Sequence, residues 1–272
     1  PLRAMKLRPS RVLREVRAGR HATVIKLNLG DPRIVELAGL AGASAVWLCN
    51  EHVPNDWTNL EHQVRAAKLH DMDTIVRVSK GSYSDYVKPF ELDATGIMVP
   101  HVTSAAEARA IVDMVRCHPL GRRPMDGGNA DGAFCQIPLA DYARHCNEER
   151  FVILQIESPE GLEAVEEIAA VPGFDMLLFG AGDYSHRIGI LGQATAPEVV
   201  AARKRVAAAA LKHGKHVAVA SLFGQKDEII AEGTSVFTLG ADVIALGDAF
   251  HHMVRAFHPP APQAADAGSI YR

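Results

Sequence analysis

Several features that would place the chain in a specialised class are missing from its sequence. No apolar run approaches the roughly 18 residues that a membrane-spanning helix needs. The basic stretch PLRAMKLRPSRVLREVRAGR at the start lacks the apolar segment of a signal peptide. A net charge of −3 gives no electrostatic reason to expect nucleic-acid binding. We therefore expect a cytoplasmic protein that binds neither membranes nor nucleic acids.

The four cysteines also lack a recognisable pattern. Cys49, Cys117, Cys135 and Cys146 show no CxxC spacing and no framework of a small disulfide-rich scaffold, so we expect free thiols. A length of 272 residues, with 48% hydrophobic and 22% charged residues, suits one large α/β domain or two small ones. Because no internal repeat and no linker divides the chain, we predict a single domain over residues 1–272.

Short apolar runs alternate with amphipathic stretches along the chain. Eight runs are strand candidates: Val24–Leu29, Ala45–Leu48, Thr74–Val78, Gly96–Val99, Val152–Ile156, Met176–Phe179, His216–Val219 and Val243–Leu246. Their nearly continuous apolar character favours parallel strands that are covered on both faces. Helix-start signals such as Asp31-Pro32 and Ser158-Pro159 follow the strands, and an extra helix from Ser10 to about Ala18 precedes the first one.

Eight strand–helix units predict an α/β fold of the (β/α)₈ TIM-barrel type. A doubly wound open sheet is the competing architecture, but no GxGxxG motif follows the first strand, where a dinucleotide site would need it. Residues 118–137 interrupt the alternation of predicted strands and helices with a long stretch rich in Gly, Asp and Asn. We leave three interpretations of this stretch open: a lid, a subunit contact and a flexible loop.

Polar residues stand where the predicted strands end, which is where a barrel of this kind builds its active site. They are Lys26, Asn28, Asp31, Glu51, His52, Arg77, His101, Gln155, Glu157, Asp183, Ser221 and Asp248. For His101 we prefer a local hydrogen bond over a contact with substrate. Gln155 and Glu157 lie two residues apart and therefore share one strand face.

Glu157 and Asp183 leave neighbouring predicted strands at the same level. Two carboxylates in a pocket of low dielectric repel each other unless a cation lies between them. Mg²⁺ and Mn²⁺ are commonly held by one or two carboxylates, whereas no His/Cys cluster with zinc spacing accompanies this pair. The pair predicts a site for a hard divalent cation. The alternative is that Glu157 caps a helix and Asp183 forms a turn.

The segments around these acids resemble a known family. LQIES…GFDMLLFGAGDYS is similar to the pattern QIE…vD…fiGpaDLs of the HpcH/HpaI-type class II pyruvate aldolases, which belong to the phosphoenolpyruvate/pyruvate barrel superfamily. GASAVWLCNEHVPND resembles their GfDwlliDgEHap segment, and IVRVS and TGIMVPHVTSAAEA resemble the next two strands. The likeness runs in order from about Thr23 to about Leu246.

The resemblance implies a (β/α)₈ barrel and a homo-oligomer, often a hexamer built from dimers that exchange C-terminal helices. It implies Mg²⁺ or Mn²⁺ as cofactor, with Co²⁺ as a further candidate. The site residues that it implies are Glu157 and Asp183 as metal ligands, Arg77 and His52 as catalytic residues, and Gln155, Gly180, Ala181 and Gly182 as substrate-binding residues. Within that set, Arg77 holds the enolate oxygen, His52 is the acid/base, and the amides of residues 180–182 receive the pyruvate carboxylate.

Two departures from the family pattern affect the expected chemistry. Cys49 stands where the family has an Asp that orients the histidine, so His52 lacks that partner unless another carboxylate replaces it. Lys26 stands where family members carry a tryptophan on the first strand, which makes Lys26 a candidate substrate-binding residue and suggests a more polar or anionic substrate.

The leading hypothesis is a metal-dependent carbon–carbon lyase, an aldolase. It cleaves a hydroxylated 2-oxo acid to pyruvate, or a related 2-oxo acid, plus an aldehyde, through an enolate. A malyl- or citramalyl-CoA-type lyase is the second hypothesis, for which only Arg122-Arg123 hint at a path for the CoA phosphates. The third is a non-catalytic barrel that binds a 2-oxo acid, and Cys49 in place of the Asp is the feature that favours it.

Overall fold

The computed structural model describes residues 7–220 and 225–258. Among these residues, eight parallel strands close into a barrel in the order in which they occur along the chain, and the last strand pairs with the first. The strands are β1 (Ala22–Leu27), β2 (Ala45–Cys49), β3 (Asp73–Arg77), β4 (Gly96–Val99), β5 (Phe151–Ile156), β6 (Met176–Phe179), β7 (His216–Ala220) and β8 (Thr234–Ala241). The predicted (β/α)₈ barrel is confirmed.

Helices lie between the strands, before the first strand and after the last one. They are α1 (Arg11–Arg17), α2 (Pro32–Leu40), α3 (Trp57–Lys68), α4 (Tyr83–Glu91), α5 (Ala105–Val115), α6 (Leu139–Glu149), α7 (Pro159–Glu163), α8 (Val165–Ala169), α9 (Ala181–Arg187), α10 (Pro197–Lys212), α11 (Lys226–Ala231) and α12 (Asp242–Phe257). The predicted caps form as expected: Asp31 accepts from the amide of Arg33, and Ser158 accepts from the amide of Gly161. None of the described helices is long and apolar enough to cross a membrane.

The predicted eighth strand, Val243–Leu246, is wrong. Those residues lie in α12, and the strand that closes the barrel is Thr234–Ala241. A short apolar run does not by its periodicity distinguish a strand from a buried helix, whereas the β-branched and aromatic residues of TSVFTL favour a strand. Asp248, predicted at the end of the eighth strand, therefore lies within α12, and Ser221 falls outside the described residues.

Side-chain alternation along the strands separates the interior of the barrel from the layer under the helices. Val24, Ile75 and Ile153 belong to the apolar cluster inside the barrel. The residues two positions further along β1, β3 and β5 therefore point to the same interior, nearer the C-terminal ends of the strands. These residues are Lys26, Arg77 and Gln155, three of the predicted site residues.

Helix α1 lies at the opposite end of the barrel. Its side chains Val12, Leu13 and Val16 pack in the same apolar cluster as the barrel interior. Asp73, the first residue of β3, accepts hydrogen bonds from the Ser10 hydroxyl at 2.6 Å and from the Val12 amide at 2.8 Å. Among the described residues, α1 covers the N-terminal end of the barrel, so a ligand reaches the polar interior from the C-terminal end.

Two surface regions concern predictions made from the sequence: helix α12, and the stretch 118–137. Helix α12 exposes the apolar side chains of Phe250, Met253 and Phe257, and its exchange between subunits stays a prediction. Within the stretch 118–137, a 3₁₀ helix spans Ala130–Cys135, and a buried ion pair joins Arg123 and Asp131 at 2.8 Å. The Tyr142 hydroxyl of α6 donates to Asp131 at 2.5 Å and Arg123 lies 5.5 Å from the ring centroid of Phe90 in α4, so the pair attaches the stretch to the side of the barrel.

Candidate active site

Two carboxyl groups face each other at the C-terminal end of the barrel. Glu157 directly follows β5 and is 1% exposed, and Asp183 lies in the first turn of α9, directly after β6. Asp183 is close enough to Glu157 for its negative charge to act on the Glu157 carboxyl group. The Gln155 amide donates to one oxygen of Glu157, and the backbone amide of His101 donates to the other at 2.8 Å. The structure thus brings together Gln155, Glu157 and Asp183, as their positions at the strand ends predict.

The surroundings of Glu157 oppose its ionisation. Burial raises the pKa of Glu157 to about 7, and the negative charge of Asp183 adds to the rise, while the hydrogen bond from the His101 amide acts in the opposite direction. A positive charge between the two carboxyl groups would remove this repulsion. The pair therefore has the electrostatics of a cation site.

A glycine at position 180 is required by the close approach of β6 to these side chains. A Cβ atom on Gly180 would lie 2.7 Å from both Cβ and Oε2 of Glu157 and 3.0 Å from Nε2 of Gln155. The Gly180 amide already donates to the carbonyl of Ile156 at 2.9 Å. Of the three amides expected to receive a carboxylate, those of Ala181 and Gly182 remain, in the first turn of α9, where amides have no partner within the helix.

Arg77 extends from β3 into the same end of the barrel, where it is buried. Its Nε lies 2.9 Å from Oε2 of Glu51, and its Nη2 donates to the sulfur of Cys49 at 3.1 Å. The guanidinium carbon lies 4.8 Å from the ring centroid of Trp47, a distance typical of a cation–π contact. These three contacts fix the guanidinium with its charge directed to the interior.

Glu51 follows β2, and the sequence predicted its position there but no role for it. Besides Arg77 it contacts two histidines: Nε2 of His52 lies 3.5 Å from Oε2, and Nε2 of His101 lies 3.4 Å from Oε1. The side chain of His52 is 60% exposed, so this imidazole lies at the rim of the site. Glu51 therefore occupies the place beside His52 that Cys49 leaves without a carboxylate.

His101 also has more contacts than the local hydrogen bond predicted for it. Its Nδ1 lies 3.1 Å from Oε1 of Glu157, while its Nε2 approaches Glu51. The backbone of His101 has a φ of 53°, in the left-handed region, which histidine adopts more readily than bulkier residues. This conformation directs both the amide and the imidazole towards Glu157. His101 thus connects the carboxyl pair with the group around Arg77.

Lys26 lies across the barrel from the carboxyl pair. Its ammonium nitrogen is 5.5 Å from the centroid of the Trp47 ring, the ring that Arg77 also contacts. Burial lowers the pKa of Lys26, and the neighbouring charge of Arg77 lowers it further. The role of Lys26 in substrate binding stays a prediction.

The residues present fit a divalent cation. Within the described ranges, no group of three or more His, Cys, Asp and Glu side chains has the arrangement of a metal site. The candidate ligands are therefore the two carboxyl groups of Glu157 and Asp183, and Mg²⁺ is commonly bound by one or two carboxylates together with waters and substrate oxygens. The Oε1 atom of Gln155 is buried without a hydrogen-bond partner, so it is available to a bound water or ligand.

Comparison with known proteins assigns the family. The sequence profile of the HpcH/HpaI aldolase/citrate lyase family matches residues 23–249, which include all eight strands except the first residue of β1, and every site residue described above. The chain is a member of the HpcH/HpaI aldolase/citrate lyase family. The resemblance noted in the sequence is thereby confirmed.

Relatives in the HpcH/HpaI family include proteins named as aldolases. The chain is 29% identical to the hydroxypyruvate/pyruvate aldolase of Pseudomonas aeruginosa, over 98% of this chain and all of that protein. It is 31% identical to a 5-keto-4-deoxy-D-glucarate aldolase of Klebsiella pneumoniae, over 84% of this chain and 89% of that protein. A crystal structure of an HpcH/HpaI aldolase from Desulfitobacterium hafniense superposes with a TM-score of 0.86 at 26% identity, covering 93% of this chain and 98% of that one.

Proposed function

We propose that the protein is a divalent-metal-dependent aldolase that cleaves a hydroxylated 2-oxo acid to pyruvate, or a related 2-oxo acid, and an aldehyde. The observation that carries the proposal is the facing pair of Glu157 and Asp183 at the open end of the barrel. Similarity to relatives named as aldolases supports the reaction class. We assign Glu157 and Asp183 as the metal ligands, with Mg²⁺ or Mn²⁺ as the preferred ions.

A divalent cation bound by these carboxylates supplies Lewis-acid polarisation of the keto group of the substrate. Gln155 supports Glu157 through its donated hydrogen bond and offers its free Oε1 to a polar ligand. The amides of Ala181 and Gly182, in the first turn of α9, receive the substrate carboxylate in this proposal. These residues fix the 2-oxo acid end of the substrate.

Arg77 stabilises the charge that develops during cleavage. When the C3–C4 bond breaks, its electron pair passes to C3 and is delocalised onto the keto oxygen, which becomes an enolate oxygen. The buried guanidinium, held by Glu51 and Trp47, offers hydrogen-bond donors whose orientation is fixed before the reaction. Donors of this kind act mainly on the transition state, because the charge is largest there.

His52 takes the proton of the C4 hydroxyl group as the aldehyde forms. A neutral imidazole suits this step near pH 7, and the Glu51 carboxylate at 3.5 Å stabilises the imidazolium that results. The proton held by His52 then passes to C3, which becomes the methyl group of pyruvate and leaves His52 neutral. His101 acts as a positioning residue, since its contacts join Glu157 to Glu51.

The two other hypotheses have less support. Of the two arginines that hinted at a CoA path, Arg123 is buried and paired with Asp131, and only Arg122 lies at the surface, where it pairs with Asp113 at 2.7 Å. The non-catalytic hypothesis rested on Cys49, and Glu51 now provides a carboxylate beside His52. Neither alternative is favoured by a contact of its own.

Proton exchange into pyruvate tests the proposal. The purified protein is incubated with pyruvate and Mn²⁺ or Mg²⁺ in deuterated water, and exchange of the methyl protons is followed by NMR. We expect metal-dependent exchange that Glu157→Ala abolishes and that Glu163→Gln, at a carboxylate with an 86% exposed side chain, leaves unchanged. Metal binding without exchange would support the binding hypothesis. A panel of aldehydes and acyl-CoA thioesters then separates the aldolase from the CoA-type lyase.

A further inference from the structure

Two buried cysteines lie together on the side of the barrel, away from the candidate active site. Cys117 comes two residues after α5, and Cys146 lies in α6. Each is 2% exposed, and together with Tyr142 they form a small apolar cluster that is separate from the barrel core. The four cysteines of the chain are free thiols. The proposed function gives this pair no role.

Hydrogen bonds hold the chain segments of the two cysteines next to each other. Asn147, which follows Cys146, accepts from the amide of Cys117 at 2.9 Å and donates to its carbonyl at 3.0 Å. Arg116, which precedes Cys117, donates to the carbonyl of Cys146 at 3.2 Å. Each cysteine is thus bonded to the sequence neighbour of the other. Because the segments already lie together, a bond between the two sulfurs would cost little loop-closure entropy in the folded protein.

The two thiols differ in how easily they ionise. A hydrogen bond from the Cys146 thiol lowers the pKa of Cys117 to about 7, burial opposes this decrease, and the charge of Arg123 adds to it. The same hydrogen bond raises the pKa of Cys146, and burial raises it further. The Cys146 sulfur also accepts from Nη1 of Arg123 at 3.6 Å. Since the thiolate is the nucleophilic form of cysteine, Cys117 is the attacking sulfur of the pair.

A surface pocket of about 360 Å³ lies beside the cysteine pair. His118, the residue after Cys117, contributes to its lining, as do Ala143 and Asn147 of α6. Ala143 also packs against the cysteine cluster. A local movement of this wall would therefore expose the Cys117 sulfur to a small molecule in the pocket, without unfolding of the barrel.

We propose that Cys117 and Cys146 are a redox-active dithiol, which small-molecule disulfides oxidise to a disulfide within the chain. The Cys117 thiolate attacks one sulfur of the small disulfide, whose S–S bond breaks, and the departing thiolate takes up the proton that Cys117 released. Cys146 then loses its proton, its sulfur attacks Sγ of Cys117, and the second small thiol leaves with that proton. Two protein thiols are oxidised, and one small disulfide is reduced to two thiols.

The first step prepares the second. Once Cys117 is part of a mixed disulfide, it no longer holds the proton of Cys146, which was the largest cause of the raised pKa, and Arg123 favours the Cys146 thiolate. The new bond closes a ring that contains the stretch 118–137. Because Cys146 lies near the end of α6, directly before β5, the bond forms towards the N-terminal end of the barrel, far from Glu157. This dithiol chemistry therefore does not depend on the proposed function.

Oxidised glutathione is the probe that tests the pair in the folded protein. The Cys135→Ser variant is the starting protein, because it lacks the exposed thiol that would react without belonging to the pair. It is incubated in glutathione buffers of increasing oxidised fraction and then treated with an alkylating agent. Peptide mass spectrometry locates disulfides and glutathione adducts. Cys117→Ser and Cys146→Ser are added separately to this background, with thermal unfolding as the check on folding.

We expect a bond between Cys117 and Cys146 that dithiothreitol reverses. Cys146→Ser should keep glutathione on Cys117, and Cys117→Ser should react at least about tenfold more slowly, since it lacks the more acidic thiol. Pyruvate exchange should be the same before and after oxidation.

Three results would overturn the assignment, and each is read on the starting protein even if a serine variant does not fold. They are two thiols that remain unreacted, glutathione that stays on Cys117 while Cys146 is free, and a bond that forms only at urea concentrations that unfold the barrel. Absence of pyruvate exchange in the reduced protein would count against the proposed function and not against the dithiol.

Discussion

The buried carboxyl group of Glu157 should make the metal-free protein less stable as the pH rises. Its pKa is about 7 in the folded protein, against an ordinary value of 4.5. A carboxyl group whose folded pKa is raised contributes its full stability below pH 4.5, where it is protonated in both states. That contribution is lost as the pH rises from about 4.5 to about 7. The difference corresponds to roughly 3 kcal/mol of unfolding free energy at pH 8.

Glu157→Gln removes the ionisable group and keeps its shape. The amide oxygen still accepts the hydrogen bond from the His101 amide, although the donor from Gln155 loses its carboxylate partner. That loss costs about 1 kcal/mol and does not depend on pH. We therefore expect the stability of the variant relative to the unaltered protein to increase by roughly 3 kcal/mol between pH 4.5 and pH 8.

Urea unfolding in the presence of a chelator measures this difference at several pH values. Glu163→Gln, at an exposed carboxylate, is the control and should run parallel to the unaltered protein. Because the imidazole of His101 lies 3.1 Å from Glu157, the comparison is repeated in a His101→Asn background. A constant difference between Glu157→Gln and the unaltered protein from pH 4.5 to pH 8 would refute the electrostatic account of the pair.

Three further predictions concern single positions. Gly180→Ala places a Cβ atom 2.7 Å from Glu157 and should abolish Mn²⁺ binding measured by calorimetry; unchanged affinity would show that the strand can move away. Arg77→Lys should lower the rate of pyruvate exchange by about 10²–10³-fold with little change in Mn²⁺ affinity. A higher KM for pyruvate with an unchanged rate constant would contradict the role of Arg77 in the transition state. Tyr142→Phe removes the donor to buried Asp131 at 2.5 Å and should lower the unfolding free energy by about 1–3 kcal/mol without affecting exchange; a urea midpoint equal to that of the unaltered protein would disprove this.

The sequence predicted most of the barrel because its strands are buried on both faces and read as apolar runs. Gly96–Val99 and Met176–Phe179 were placed at their observed bounds. The prediction failed at the eighth strand, where the apolar run of Val243–Leu246 belongs to a helix. The true strand carries threonine and serine, which interrupt the apolar run, and only its β-branched and aromatic content marks it.

The carboxyl pair was predictable because parallel neighbours end at one edge, so residues that follow adjacent strands meet. Glu51 and His101 were harder to interpret because their roles arise from contacts between strands that are distant in sequence. Glu51 stands next to His52 in the chain, and this adjacency is the sequence signal that could have indicated its role beside the histidine. The left-handed backbone of His101, which turns its imidazole to Glu157, has no such signal in the sequence.

One carboxylate, Glu51, is shared by the guanidinium of Arg77 and the imidazoles of His52 and His101. Substitutions at these positions should consequently fail to combine additively, since each removes a constraint on the same side chain. Because Glu51 supplies the carboxylate, the residue at position 49 does not have to be acidic. The thiol of Cys49 can therefore occupy this position, while Glu51, two residues further along the chain, keeps Arg77, His52 and His101 in place.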